Sequence, residues 1–472
     1  MPTGTKTLPR LNLAVERFTL DNGLRVVLNP DRSVPTVGLS LTYDVGFRSE
    51  PEGSTGFAHL FEHFMFQGSE NLEKGQYDKL VMGNGGILNG STHPDFTNYI
   101  VQIPSSALEL QLWLEADRMR GLVLTPESLQ NQIDVVKEEI RLNVLNRPFG
   151  GFPWIYMPPV IFDSFNNSHN GYGSFVDLEA ATAEDTQAFF DRYYVASNAV
   201  LSLAGDFDLA SIRNLVERHF GDLAKKPAPP LPDCSEPRPN RERRDVHHDP
   251  LAPMPALAIS YRVPDPVKNF SQYCAAVLLV EILSEGDASR LHQRLVKQDR
   301  TCAFIGGGIG GFDAWEMRDP TTLDLTLFHP GGTAAQVQKA VDEEIEKVTS
   351  GIGHEELVRA RTAMVSNYLR QIDSPLERAI PLAIFEMQHG RGELINEIPE
   401  ALAAVTTDDI VAVASEWLRP DSRGVLEWVN GPAPTKKASA KKASAKKSSA
   451  RKSSARKSVA RKSGKSSRKV SK

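Results

Sequence analysis

The sequence predicts an α+β protein made of two structurally similar domains, each a mostly antiparallel sheet packed with helices, followed by a disordered basic tail. Three observations carry that prediction. First, 472 residues are too many for one ordinary hydrophobic core and suit two domains of roughly 200 residues. Second, the plan of the chain is written twice. The stretch "TAEDTQAFFDRYYVASNAVLSLAGDF" (182–207) parallels "TTDDIVAVASEWLRPDSRGVLEWVN" (406–430). Each has a Thr helix cap, an acidic first turn, an apolar helix ending in aromatics, a turn and a strand. Upstream, "TVGLSLTYDVG" (36–46) parallels "ALAISYRVPD" (256–265), both alternating, and each is followed by a helix, from Ala58 and from Ala276. Third, the copies are separated by the Pro-rich, charged stretch "KKPAPPLPDCSEPRPNRERRDVHHDP".

In chain order this gives an N-terminal arm (1–13), a first domain (14–225), a linker (226–246), a second domain (247–430) and a tail (431–472). The start of the chain has no apolar signal-type region, and no 18-residue apolar run occurs, so a cytoplasmic protein without membrane spans is expected. Three cysteines without a C-x-x-C pair suggest neither a disulfide framework nor a thiolate metal site, and Cys274 reads as plain core. The net charge of −5 hides two opposite parts. Residues 435–472 hold 16 Lys and Arg and no acid, which leaves a body of 38 basic against 59 acidic residues. The tail repeats "KKASA" and "RKSSA" units with no aromatic residue and too little apolar surface to fold. Such a polycation suits non-specific DNA or an acidic partner through phosphate or carboxylate neutralisation.

The chemistry concentrates in "TGFAHLFEHFMFQGSE" (55–70), where two histidines and a glutamate interrupt an apolar helix. Buried without partners, these groups would be costly. In the second copy the equivalent positions are Val277, Val280 and Glu281, so two of the three tolerate an apolar residue and the triplet is not a demand of the fold. His59 and His63 lie one helical turn apart on one face, a spacing at which both imidazoles reach a single zinc ion. Glu62 lies beside that position, where a carboxylate takes a proton from water. The H-x-x-E-H order marks the inverzincins. A third ligand is sought in "TPESLQNQIDVVKEEIRLNVLNRP" (125–148), a helix with Thr125 as N-cap, Pro126 at its first position and a buried stripe of Leu129, Ile133, Val136, Ile140 and Val144. Glu139 borders that stripe while Glu138 points further around, so Glu139 is the expected ligand.

These residues resemble the pitrilysin or insulinase-type zinc peptidases, and among them half-length members similar to mitochondrial processing peptidase. The resemblance runs from Leu13 to about Asn430 and includes "HLFEH" (59–63), "VVKEEI", "LNGSTHPDFTNYIVQIP" (88–104) and "NAVLSLAGDFD" (198–208). It implies a zinc-dependent endopeptidase with one zinc per chain held by His59, His63 and Glu139, and Glu62 as general base. It further implies that Asn89 lies on an edge strand that holds an extended peptide by strand addition. Two departures from the family pattern stand out. Gln132 stands where members often have an auxiliary glutamate, and Lys297 and Phe304 stand where an Arg and a Tyr often grip the substrate carbonyl. Half-length members pair two chains around one chamber. The expected assembly is therefore a heterodimer whose homologous partner lacks H-x-x-E-H and supplies the Arg and Tyr, with a homodimer, or Arg294 or Arg300 taking over, as rivals. A catalytically silent assembly subunit is the alternative, against which the intact His59, Glu62, His63 and Glu139 stand. His93 and His169 read as solvated loop histidines, and His247 and His248 as incidental linker residues. "GGGIGG" (306–311) lacks the Lys and the helix start of a phosphate cradle and reads as a glycine-rich strand or loop.

Overall fold

The computed structural model describes residues 11–432. The basic tail expected to be disordered lies outside the described residues, as does nearly all of the N-terminal arm. Among the described residues, eleven strands form two sheets. In the first, β1 (Glu16–Thr19), β2 (Arg25–Pro30), β3 (Thr36–Tyr43), β4 (Ile87–Thr92), β5 (Thr97–Pro104) and β6 (Ala199–Gly205) take the order β1-β2-β6-β3-β5-β4. In the second, β7 (Arg243–Asp249), β8 (Ala256–Arg262), β9 (Phe304–Ile309), β10 (Thr322–Phe328) and β11 (Arg423–Asn430) take the order β7-β11-β8-β10-β9. Each sheet has one parallel pair, β2 with β6 and β7 with β11, and all other pairs are antiparallel. The two orders superpose strand for strand from β2 to β7 onward, which is the internal duplication in three dimensions. Helices cover both sheets.

The halves exchange elements. Helix Pro375–His389, from the second half of the chain, lies on β2, β3, β5 and β6 of the first sheet. In return, the segment holding Phe152, Met157, Val160 and Ile161 packs with Ala256, Ala258, Leu426 and Trp428 of the second sheet. Leu11, Leu13 and Val15 also pack against the second half's core, where Asn396 clasps the Leu13 backbone through N–H and C=O (2.7 and 3.0 Å). The alternation of 36–46 does not divide a core face from a solvated one. Val37, Leu39, Leu41 and Tyr43 face one core, but the intervening Gly38, Ser40 and Thr42 are buried too, under the exchanged helix. Ser40 and Thr42 satisfy each other through their hydroxyls at 3.0 Å. At Gly38 a Cβ would collide with the backbone of Pro375 and Leu376, so the helix sits where only glycine lets it.

The stretch 226–246 differs from a plain linker at its end: β7 begins at Arg243 and takes in His247 and His248. Its sequence, RRDVHHD, hides a strand because an edge strand with a largely solvated face needs little apolar patterning. His247 is no incidental residue of a linker, since its ring stacks on Trp428 with centroids 4.0 Å apart. Cys274 is fully buried in helix Phe270–Leu283, as expected of core. No helix among the described residues is long and apolar enough to cross a membrane.

Candidate metal centre

The centre is assembled by two helices of the first half. Helix Phe57–Phe64 carries His59, Glu62 and His63, and buries Phe57, Leu60, Phe61 and Phe64 in the first core, where Phe61 stacks on Phe189 at 5.0 Å. Its start is fixed by a carboxylate: Glu50 accepts the N–H of Gly56 (2.9 Å) and of Ala58 (2.8 Å). An acidic group there satisfies donors that have no partner inside the helix and suits the positive end of its dipole. Helix Pro126–Ile140 begins at Thr125, whose side chain accepts from Ser128 N–H while Ser128 answers the Thr125 N–H, a reciprocal cap. Leu129, Ile133, Val136, Ile140 and Val144 are all buried, so the predicted stripe fixes the helix's rotation and with it the direction of Glu139. Glu138 turns outward and pairs with Arg141 at 3.2 Å.

His59 Nε2 and His63 Nε2 lie 3.3 Å apart. Glu139 Oε2 lies 3.3 Å from His63 Nε2 and 3.7 Å from His59 Nε2. With ligand bonds of about 2.0–2.1 Å, the edge of a tetrahedron around zinc is about 3.3–3.4 Å, so the three atoms stand at a spacing that fits the ion. The protonation states fit as well. Burial, with His63 adjacent, pulls the His59 imidazole down to about 4, which leaves it neutral. The hydrogen bond from His63 holds the Glu139 carboxyl below its ordinary range against the opposing effect of burial. A neutral imidazole and an ionised carboxylate are the ligand forms a metal requires. Tyr172 completes the surround: its hydroxyl donates to Glu139 Oε1 at 3.3 Å and its ring meets His59 edge-on at 5.1 Å. Burial raises the Glu62 carboxyl, opposed by a hydrogen bond from Thr92 (2.7 Å).

His59 and Glu62 open onto a cavity of about 360 Å³ lined by Phe47, Trp154, Tyr172, residues 90–92 of β4, and Gly311 and Phe312 of the second half. Asn89 sits exposed on β4, the open edge of the first sheet, one residue short of that lining. Lys297 and Phe304 are not among the lining residues either. Lys297 lies in the helical turn His292–Gln298, and Phe304, 58% exposed, opens β9 beside a cleft along Gly306, Gly307 and Gly308 that meets the cavity at Gly311 and Phe312. Arg294 is engaged by Asp299 and Glu343. Residues 304–309 are thus an edge strand, as the glycine-rich reading allows.

Two readings are overturned. His93 and His169 are not solvated. His93 is buried, stacks on Phe96 at 4.2 Å, faces Glu316 Oε2 with Nδ1 at 3.3 Å, and is pulled by burial to about 4. His169 is held between the carbonyls of Phe165 and Phe47 and the Glu50 carboxylate (3.1 Å), which outweighs burial and raises it. Sequence reasoning also missed Glu50, Thr92 and Tyr172. None of the three stands out locally: Thr92, for example, sits in the polar run "NGSTHPD".

Residues 25–146 match the family model described as Insulinase (Peptidase family M16), and residues 180–364 that of the Peptidase M16 inactive domain. The chain belongs to the insulinase family of peptidases, M16. It is 28% identical over 421 residues to a protein from Helicobacter pylori named zinc protease PqqE, covering 86% of this chain and 90% of that one. It is 25% identical over 441 residues to an uncharacterized zinc protease, Rv2782c, of Mycobacterium tuberculosis, covering 93% and 98%. Among solved structures, a protease from Helicobacter pylori superposes with a TM-score of 0.81 at 26% identity, over 88% of this chain and 99% of that one. In this chain the metal-type cluster is confined to the first half: among the described residues His59, His63 and Glu139 form the one group of three or more such side chains close enough to share an ion.

Proposed function

We propose that this protein is a zinc-dependent endopeptidase that cleaves extended or unstructured peptides. The carrying observation is the convergence of His59 Nε2, His63 Nε2 and Glu139 Oε2 at 3.3–3.7 Å, with the half-buried Glu62 carboxyl on the same cavity wall. In this reading His59, His63 and Glu139 hold one zinc, which when bound supplies a Lewis acid that acidifies water and polarises the scissile carbonyl. Glu62 receives the proton of the attacking water and delivers it to the leaving amine. The substrate backbone adds to the open edge of β4, with Asn89 holding it, so that its scissile bond reaches the cavity. The chain acts in the cytoplasm as the catalytic half of a two-chain enzyme. That part of the reading is supported by Lys297 and Phe304 at the positions where an Arg and a Tyr would grip the substrate, since a phenyl ring donates no hydrogen bond.

The test is hydrolysis of a mixed set of unstructured peptides by the purified chain, with zinc measured on the same sample and Glu62→Gln as control. Zinc-dependent cleavage absent from the control supports the peptidase. Equal cleavage by the control removes Glu62 from the mechanism. Full activity of a chain that purifies only with itself removes the heterodimer.

A further inference from the structure

The edge strand β4 does more than border the cavity; it grips the side chain read above as the base. Thr92, its last residue, donates its hydroxyl to Glu62 Oε2 at 2.7 Å. Two residues earlier, Gly90 forms the floor under the same side chain. A Cβ at Gly90 would stand 3.1 Å from Glu62 Cγ, 3.3 Å from Phe66 Cε2 and 3.5 Å from Glu62 Oε1. The Gly90 backbone does not lie in the left-handed region, so its glycine answers to space and not to conformation. Alternate residues of a strand share a face, which is why positions 90 and 92 meet one side chain.

We infer that Thr92 is a positioning residue that aims the Glu62 carboxylate, with Gly90 leaving the room this requires; the inference rests on the reading of Glu62 as the general base. The Thr92 hydroxyl takes one acceptor site of Oε2 and fixes the plane of the carboxylate, leaving other acceptor sites free to receive the proton. A threonine hydroxyl has one hydrogen to donate. With that hydrogen committed to Glu62, the Thr92 hydroxyl is not a donor to the peptide, although Thr92 lines the cavity. The hydrogen bond also removes the rotational freedom of a side chain whose misplacement by about 1 Å would cost about a hundredfold in rate. Because β4 is the same strand to which the peptide adds, seating of the substrate and aiming of the base are set by one element. A shift of the strand disturbs both.

The experiment compares the zinc-loaded wild type with Thr92→Val, Thr92→Ser, Gly90→Ala and Glu62→Gln. Valine keeps the shape of threonine without its hydroxyl. For Thr92→Val the expected result is a fall of about 10- to 100-fold in kcat, with KM within about threefold and zinc content unchanged. Thr92→Ser restores most of the rate, which a purely structural role of the methyl group would not do. Crystal structures of the zinc-loaded wild type and Thr92→Val read the aim of the carboxylate without turnover, and Glu62 is expected to rotate away in the variant. Gly90→Ala is expected to displace Glu62 as well. A Thr92→Val enzyme with the wild-type kcat, a serine variant as slow as the valine one, or an unmoved Glu62 in the valine structure overturns the inference. If wild type and Glu62→Gln cleave alike, the base reading fails, and the crystal structures still decide whether Thr92 aims the side chain.

Discussion

Replacing Glu50 by Gln strikes the helix that carries the cluster without touching the cluster. Glu50 is 1% exposed; its Oε1 accepts from Ala58 N–H, and its Oε2 from Gly56 N–H and the His169 ring. A glutamine presents an amide NH₂ in place of one of these oxygens, so one buried donor at the helix start loses its acceptor at about 1–3 kcal/mol. The charge-assisted bond to His169 weakens as well, worth about 1.5–3 kcal/mol when intact. Part of this is offset because an ionised carboxylate no longer has to be buried, and burial already raises the Glu50 carboxyl. The expected net loss is about 3 kcal/mol, which lowers the melting temperature of a chain this long by about 3–6 °C. His59 begins three residues after Gly56, so a first turn that shifts moves one ligand and not the other two, and zinc affinity falls by about tenfold. Calorimetry of the apo protein and competition with a chromophoric chelator read the two effects. A variant that melts with the wild type and binds zinc equally well would refute the assignment of Glu50 as the anchor of this helix.

Other perturbations test separate parts of the account. Tyr172→Phe removes the hydroxyl bonded to Glu139 Oε1 and weakens zinc binding by about tenfold, read by the same chelator competition, while the peptide-binding edge is untouched. Gly38→Ala drives a methyl group into the Pro375–Leu376 backbone and destabilises the chain by about 1–3 kcal/mol, with helix Pro375–His389 becoming accessible to limited proteolysis. The half-buried Asp324, bonded to Ser260 and Thr322, is pushed by loss of hydration from 3.8 to about 6. Between those values the folded protein keeps a proton that the unfolded chain releases. Its contribution is therefore fully present below pH 3.8 and lost as the pH rises through about 6. Denaturant unfolding should show the stability of Asp324→Asn gaining on the wild type by up to about 3 kcal/mol across that window, and a constant difference would contradict the shift.

What the sequence disclosed was local. The histidine pair and Glu62 are separated by helical spacing alone, and Glu139 was separable from Glu138 because four apolar residues, Leu129, Ile133, Val136 and Ile140, fix the rotation of helix Pro126–Ile140. The duplicated sheet was legible for the same reason, since β3 with β8 and β6 with β11 repeat their own patterns and their neighbours. The exchange of elements was not. Gly38, Ser40 and Thr42 look like a solvated strand face, and only a helix more than 300 residues away makes small residues there a packing requirement. His169 and Glu50 stand 119 residues apart and meet through the fold, so neither has a local pattern that marks it as buried. Likewise β7 is a charged edge strand whose partner, β11, carries the apolar signal for both.

The most direct test of the central claim is equilibrium zinc binding by the wild type, His63→Gln, Glu139→Gln and Glu138→Gln. Glu138 and Glu139 are adjacent and chemically alike, yet Glu138 pairs with Arg141 at the surface while Glu139 faces both imidazoles. The account predicts one tightly bound zinc per chain in the wild type and in Glu138→Gln, and loss of tight binding in His63→Gln and Glu139→Gln. Tight binding that survives Glu139→Gln, or that disappears in Glu138→Gln, would contradict it.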